Sequence, residues 1–203
     1  MAVALRLFGE LMDSQLGVLD RVVLALERAR ARWAVVGGHA VSAHTRPRVT
    51  VDIDLLVEGH RRAAVEDALR AEGFTIRQDG DALRVLAAPG DTEPVADVLF
   101  SHLHALWPEV LRTAVETTYQ DRNVRVCSRV ALVVMKFLAA VSPQRAPEDR
   151  HIDVADIAAL VRRGWTEAEA SEAARLARFG HPGAAEELAR LVDDLRAGRA
   201  VTI

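Results

Sequence analysis

The sequence predicts an α/β (α+β) protein: a small mixed sheet flanked by helices over residues 1–127, followed by a helical C-terminal part over 128–203. Three observations carry that expectation. Short apolar runs rich in β-branched residues recur between Trp33 and Phe100, and turn signals such as Gly37-Gly38, Asp79-Gly80 and Pro89-Gly90 separate them. Apolar residues at helical spacing fill stretches between these runs. From Ser128 onward only helical patterns remain.

The elements follow in order. Leu16, Leu19, Val22, Val23 and Leu26 predict a helix over 14–31, with Asp13 or Ser14 as its N-cap. Trp33 to Val36 is a short buried strand stopped by Gly37-Gly38, and residues 39–45 have room for one or two helical turns. Arg48 to Val57 alternates as a second strand. An amphipathic helix over 60–72 ends at Gly73; Phe74–Arg77 and Leu83–Ala87 then read as two short strands, and Val95–Phe100 as another buried one. Residues 105–117 suggest a helix, and Thr117–Tyr119 with Val124–Cys127 a hairpin turning at Asp121-Arg122-Asn123. Four helices are expected at 129–141, 150–163, 167–179 and 183–196. Gly164 stands where a helix-ending glycine belongs, and Thr166 with Glu169 forms a capping-box pattern.

Composition excludes several classes. Half of the 203 residues are hydrophobic and 27% are charged, which supports a packed core and excludes disorder over most of the chain. The net charge of −3 disfavours a broad basic surface for nucleic acid. Cys127 is the single cysteine, so no internal disulfide forms, and a reducing, cytoplasmic setting is expected. Charges interrupt the N-terminal stretch too early for a signal-peptide core, and no apolar run approaches the roughly 18 residues of a membrane span.

Chemistry concentrates in WAVVGGHAVSAHTRPRVTVDIDLLV, residues 33–57. Asp52 and Asp54 alternate with Ile53 and Leu55, so on a strand both carboxylates project from one face. Two such charges about 7 Å apart repel unless a cation lies between them, and a hard divalent ion, Mg²⁺ or Mn²⁺, takes oxygen ligands of this kind. The alternative is a solvated strand edge with two surface acids. Gly37-Gly38 ends a strand and opens a helix, where backbone can approach a phosphate and N–H groups attract anions.

This spacing resembles the nucleotidyltransferase superfamily typified by DNA polymerase β: a hydrophobic strand, Gly-Gly or Gly-Ser, a short gap, then two acids one residue apart among hydrophobics. Here the matching residues are Gly37, Gly38, Asp52 and Asp54. More narrowly, GGHAVSAHTRPRVTVDIDLLV is similar to the bacterial AbiEii-type toxin nucleotidyltransferases, whose Arg-x-Thr/Ser-x-Asp-Ile-Asp segment is matched by Arg48, Thr50, Asp52, Ile53 and Asp54. The similarity is moderate over 128–160, where the family has a Lys-bearing helix and then an Asp-x-x-Asp-Ile helix, and weak elsewhere.

The resemblance implies an NTP substrate, transfer of its NMP unit to an acceptor hydroxyl, and release of pyrophosphate. It implies that Asp52 and Asp54 bind two metal ions and that a third acid stands on a neighbouring strand. Asp97 is the best candidate, since Val95-Ala96-Asp97-Val98-Leu99-Phe100 makes an unpaired charge costly, whereas Asp91 and Glu93 belong to a turn. Gly37 and Gly38 would hold the β- and γ-phosphates. The acceptor stays open among a tRNA end, a small molecule and a protein hydroxyl. A partner antitoxin and a nucleotide-binding module without turnover are further readings.

Lys136 is the only charged residue between Val130 and Val141, and the only lysine among 26 basic residues. A buried ammonium requires an anion, so Lys136 meets either phosphate or a buried carboxylate. Asp149, Asp153 and Asp156 share one helix face; Asp153 and Asp156 match the family's second motif and are expected to pair with Lys136 or orient the substrate. Arg46 and Arg48 flank Pro47, where one of them could meet triphosphate charge. His39 follows the glycines, where a phosphate contact is conceivable, but it and His44 are read as packing or surface residues and Cys127 as a small core residue.

Overall fold

The computed structural model describes residues 17–46, 50, 52–119, 121–162 and 164–201. Its centre is a mixed seven-stranded sheet in the order β3-β4-β5-β2-β1-β7-β6. The strands are β1 (Trp33–Val35), β2 (Ile53–Val57), β3 (Thr75–Asp79), β4 (Ala82–Leu86), β5 (Ala96–Phe100), β6 (Val115–Tyr119) and β7 (Arg122–Val126). Strand β2 runs parallel to β5 and antiparallel to β1, and β1 runs parallel to β7. Leu55, Leu56 and Val57 of β2 are fully buried, as expected for a central strand covered on both faces.

Eight helices surround the sheet among the described residues. Helix α1 (17–28) buries Leu19, Val22, Ala25 and Leu26 at helical spacing. Then come α2 (Gly37–His44), α3 (Arg62–Ala71), α4 (Trp107–Arg112), α5 (Arg129–Ala140), α6 (Pro147–Val161), α7 (Glu167–Ala177) and α8 (Ala184–Arg196). The Ser128 hydroxyl accepts from the Ala131 N–H to cap α5, and Thr166 with Glu169 forms the expected capping box of α7. One continuous buried cluster runs from Leu19 through Leu55, Val98 and Leu132 to Val192. Within it α5 packs on α6, and both touch α2. No helix of the described residues is long and apolar enough to cross a membrane.

Three expected features differ. The helix expected over 105–117 stops at Arg112, because Val115, Thr117, Thr118 and Tyr119 pair with β7 as β6. β-Branched and aromatic residues suit that ladder better than a helix. Their hairpin turns at Asp121, which holds a left-handed φ of 61°, so Arg122 and Asn123 lie in β7 and not in the turn. Among the described residues the second strand begins at Ile53, since its first rung is Ile53 opposite Ala96; Asp52 occupies the bend just before it. Arg48, Val49 and Val51 lie outside the described residues, as do Asp13, Ser14 and Leu16.

Candidate active site

Helix α2 starts one residue after β1, so the glycine pair lies directly beside β2. The Val36 N–H donates to the Asp54 carbonyl at 2.9 Å. Gly37 holds φ +60°, and a Cβ there would come within 1.9 Å of Asp54 Oδ2. Gly37 is therefore required twice, by its backbone and by the carboxylate that fills its side-chain space. The Gly38 N–H donates to that carboxylate.

Parallel pairing sets Asp54 directly opposite Asp97, so the two acids share a face of the sheet. Both are partly buried, while Asp52, in the bend, is exposed. Burial, and then the charges of Asp52 and Asp97, push the Asp54 pKa up to about 6, against the pull of Lys136 and the Gly38 N–H. Burial also raises Asp97; Arg84 opposes this, and the charges of Asp52 and Asp79 add to it. The three acids thus feel one another. Asp97 Oδ1 is buried without a hydrogen bond, and Oδ2 is taken by Arg84. Among the described residues no three such donors converge on one point as placed.

Across the cleft, α5 and α6 build a second charged group. Lys136 Nζ lies 2.7 Å from Asp153 Oδ1 and 3.0 Å from Asp156 Oδ2. Arg145, from the loop between the helices, donates through Nε to Asp153 Oδ2 at 2.9 Å and stands 3.5 Å from Asp149. Asp153 is fully buried and Asp156 nearly so. Of the two partners expected for Lys136, the structure shows the carboxylates. Lys136 also lines, with Gly37, Asp54, Leu99, Arg145 and Asp153, a cleft of about 230 Å³. Larger hollows of about 420 Å³ lie between the C-terminal helices, and none of the predicted site residues lines them.

The remaining candidates fall as follows. Thr50 is partly buried ahead of Asp52, Arg46 is exposed, and Arg48 lies outside the described residues. His39 is buried 3.1 Å from the Tyr119 hydroxyl, and His44 donates to the Cys127 carbonyl at 2.8 Å. Burial pushes the Cys127 thiol up to about 12, which excludes a thiolate nucleophile. Sequence reasoning missed Arg84 and Arg145. Arg84 meets Asp97 through the β4–β5 register, a non-local pairing that no local pattern reveals. Arg145 left a weak signal, four and eight residues before Asp149 and Asp153.

A strand running into a Gly-Gly helix start, with acids in register on two parallel strands beside it, is the architecture of a nucleotidyltransferase. The solution structure of the antibiotic-resistance factor ANT(2'')-Ia matches with a TM-score of 0.53 at 20% identity, over 92% of this chain and 91% of that one. Its crystal structure in complex with adenylyl-2''-tobramycin matches at 0.52 and 19%, over 92% and 99%. An antigenic nucleotidyltransferase-like protein from Paracoccidioides brasiliensis matches at 0.50 and 22%, over 85% and 89%. These likenesses concern the fold. The family model described as "Nucleotidyl transferase AbiEii toxin, Type IV TA system" matches residues 18–200, so the chain belongs to the AbiEii nucleotidyltransferase family. A search of curated proteins finds no match.

Proposed function

We propose that the protein is a metal-dependent enzyme that transfers the NMP unit of an NTP to an acceptor hydroxyl. The observation that carries this reading is the register of Asp54 against Asp97, with Gly37 leaving its side-chain space to the Asp54 carboxylate. The donor set suits a hard divalent cation such as Mg²⁺ or Mn²⁺. It consists of carboxylate oxygens only, Asp97 Oδ1 is buried without a hydrogen bond, and Asp54 is pressed by two neighbouring charges. Asp52, Asp54 and Asp97 would hold it. When bound, such ions neutralise triphosphate charge and lower the pKa of the acceptor oxygen.

The chain's own groups do the rest. Gly37 and Gly38 let the triphosphate approach the start of α2. Asp97, through the carboxylate oxygen that the cation would leave free, would accept the acceptor's proton. The bond from the acceptor oxygen to the α-phosphorus forms, the α–β bridging bond breaks, and pyrophosphate leaves with that electron pair. Lys136 and Arg145, on the opposite wall, offset negative charge in the cleft, with Asp153 and Asp156 holding Lys136 in place. Arg48 and Thr50 are assigned to the nucleotide by their match to the family motif. The acceptor hydroxyl belongs to a tRNA end, a small molecule or a protein. The family description also supports an antitoxin partner.

The test is incubation with each α-labelled NTP, Mg²⁺ and cell extract, followed by separation into RNA, protein and small molecules. Label entering one fraction with wild type, and none with Asp54→Asn, is expected. Transfer that survives Asp54→Asn would refute the assignment.

A further inference from the structure

Arg77, Arg84, Asp97 and Asp54 stand opposite one another on four successive strands, β3, β4, β5 and β2. Two arginines and two acids therefore share one face in a single row. Arg84 bonds Asp97 through Nη1, and its Nε lies 3.2 Å from Asp79 Oδ2. Asp97 is 13% exposed, Arg84 31% and Asp79 59%. A guanidinium has donors enough for two carboxylates and keeps its charge in either arrangement. It thus sits between a buried acid that needs a cation and an exposed acid that does not. Asp97 Oδ1 is buried and has no hydrogen bond.

We propose that Arg84 is a positioning residue that latches Asp97 in the free enzyme, competes with the divalent cation for the charge of the Asp97 carboxylate, and shifts toward Asp79 when the cation enters. This rests on the reading of Asp97 as a metal ligand. The latch has a physical reason. Without a cation, Asp97 is a buried charge beside Asp52 and Asp54, and a resident guanidinium neutralises it at the cost of weaker metal binding. Asp79 lowers that cost by giving Arg84 a second partner one strand further out. Arg84 therefore sets how much metal the site requires.

The test is titration of the metal-free full chain with Mn²⁺ alone, reading free Mn²⁺ by electron paramagnetic resonance, together with thermal melts. Arg84→Gln should melt lower without metal, bind Mn²⁺ about 3–10-fold tighter, and gain a larger melting shift from it. Asp79→Asn, a change at an exposed position, should do the reverse and bind Mn²⁺ about 2–3-fold weaker, because Arg84 then has only Asp97. A merely structural Arg84 would lower the melt and leave Mn²⁺ affinity unchanged or weakened. Equal or weaker binding by Arg84→Gln, with wild type binding normally, overturns the latch and leaves the metal reading intact. No Mn²⁺ binding by wild type or either variant overturns both.

Discussion

Two groups of acids stand on the sheet side and the helical side of one cleft, and they are neutralised differently. On the helical side, Asp153 and Asp156 share Lys136, and Arg145 adds a second cation to Asp153. On the sheet side, among the described residues, Asp52, Asp54 and Asp97 have one guanidinium, held by Asp97. The first group is complete as the chain folds. The second, among the described residues, has fewer positive charges than acids, and burial with mutual repulsion raises both Asp54 and Asp97. The contrast teaches that burial of an acid is not by itself a functional signal; what matters is whether its countercharge comes from the chain.

The largest effect should come from breaking the complete group. Lys136→Met keeps the aliphatic volume and removes the ammonium that Asp153 and Asp156 share, so a loss of about 3–5 kcal/mol is expected in urea denaturation. Adding Asp153→Asn and Asp156→Asn should recover much of it. If Lys136→Met unfolds like wild type, the helical group is not a structural bridge. On the sheet side the sign reverses. Without metal, Asp54→Asn should stabilise by roughly 1–2 kcal/mol, because it removes a buried like charge, while abolishing transfer. A destabilised Asp54→Asn would make Asp54 structural and erase the contrast.

A smaller effect calibrates the comparison. Glu169 is partly buried, which raises its pKa, but bonds from Arg129 and Thr166 outweigh burial and hold it below the usual carboxylate value. A lowered carboxyl pKa stabilises the fold above the unfolded pKa of 4.5, and that stability is lost as pH falls through the folded value. Glu169→Gln should therefore cost about 1 kcal/mol at pH 7, and the gap to wild type should close on acidification below 4.5. A gap that persists at pH 3 would contradict this.

Much of the site was legible because its signals are local. Gly37-Gly38, the alternation through Asp54, the apolar flanks of Asp97 and the lone Lys136 each stand out within about ten residues, and the structure brings them around one cleft or onto one sheet face. What was not legible depends on long-range pairing. Asp52 falls outside β2 because β5 begins only at Ala96, and Arg84 reaches Asp97 through a register between strands. The helix expected over 105–117 failed for a related reason: pairing with β7 draws Val115–Tyr119 into the sheet edge.

The central claim is that the sheet-side acids lack a cation that the nucleotide brings with it. Calorimetry of a non-hydrolysable NTP analogue tests this most directly, in wild type and in Asp54→Asn, each with and without Mg²⁺. Wild type should bind the analogue at least about tenfold tighter with Mg²⁺ than without, and Asp54→Asn should lose most of that difference. Equal affinity with and without Mg²⁺ in wild type would contradict the account.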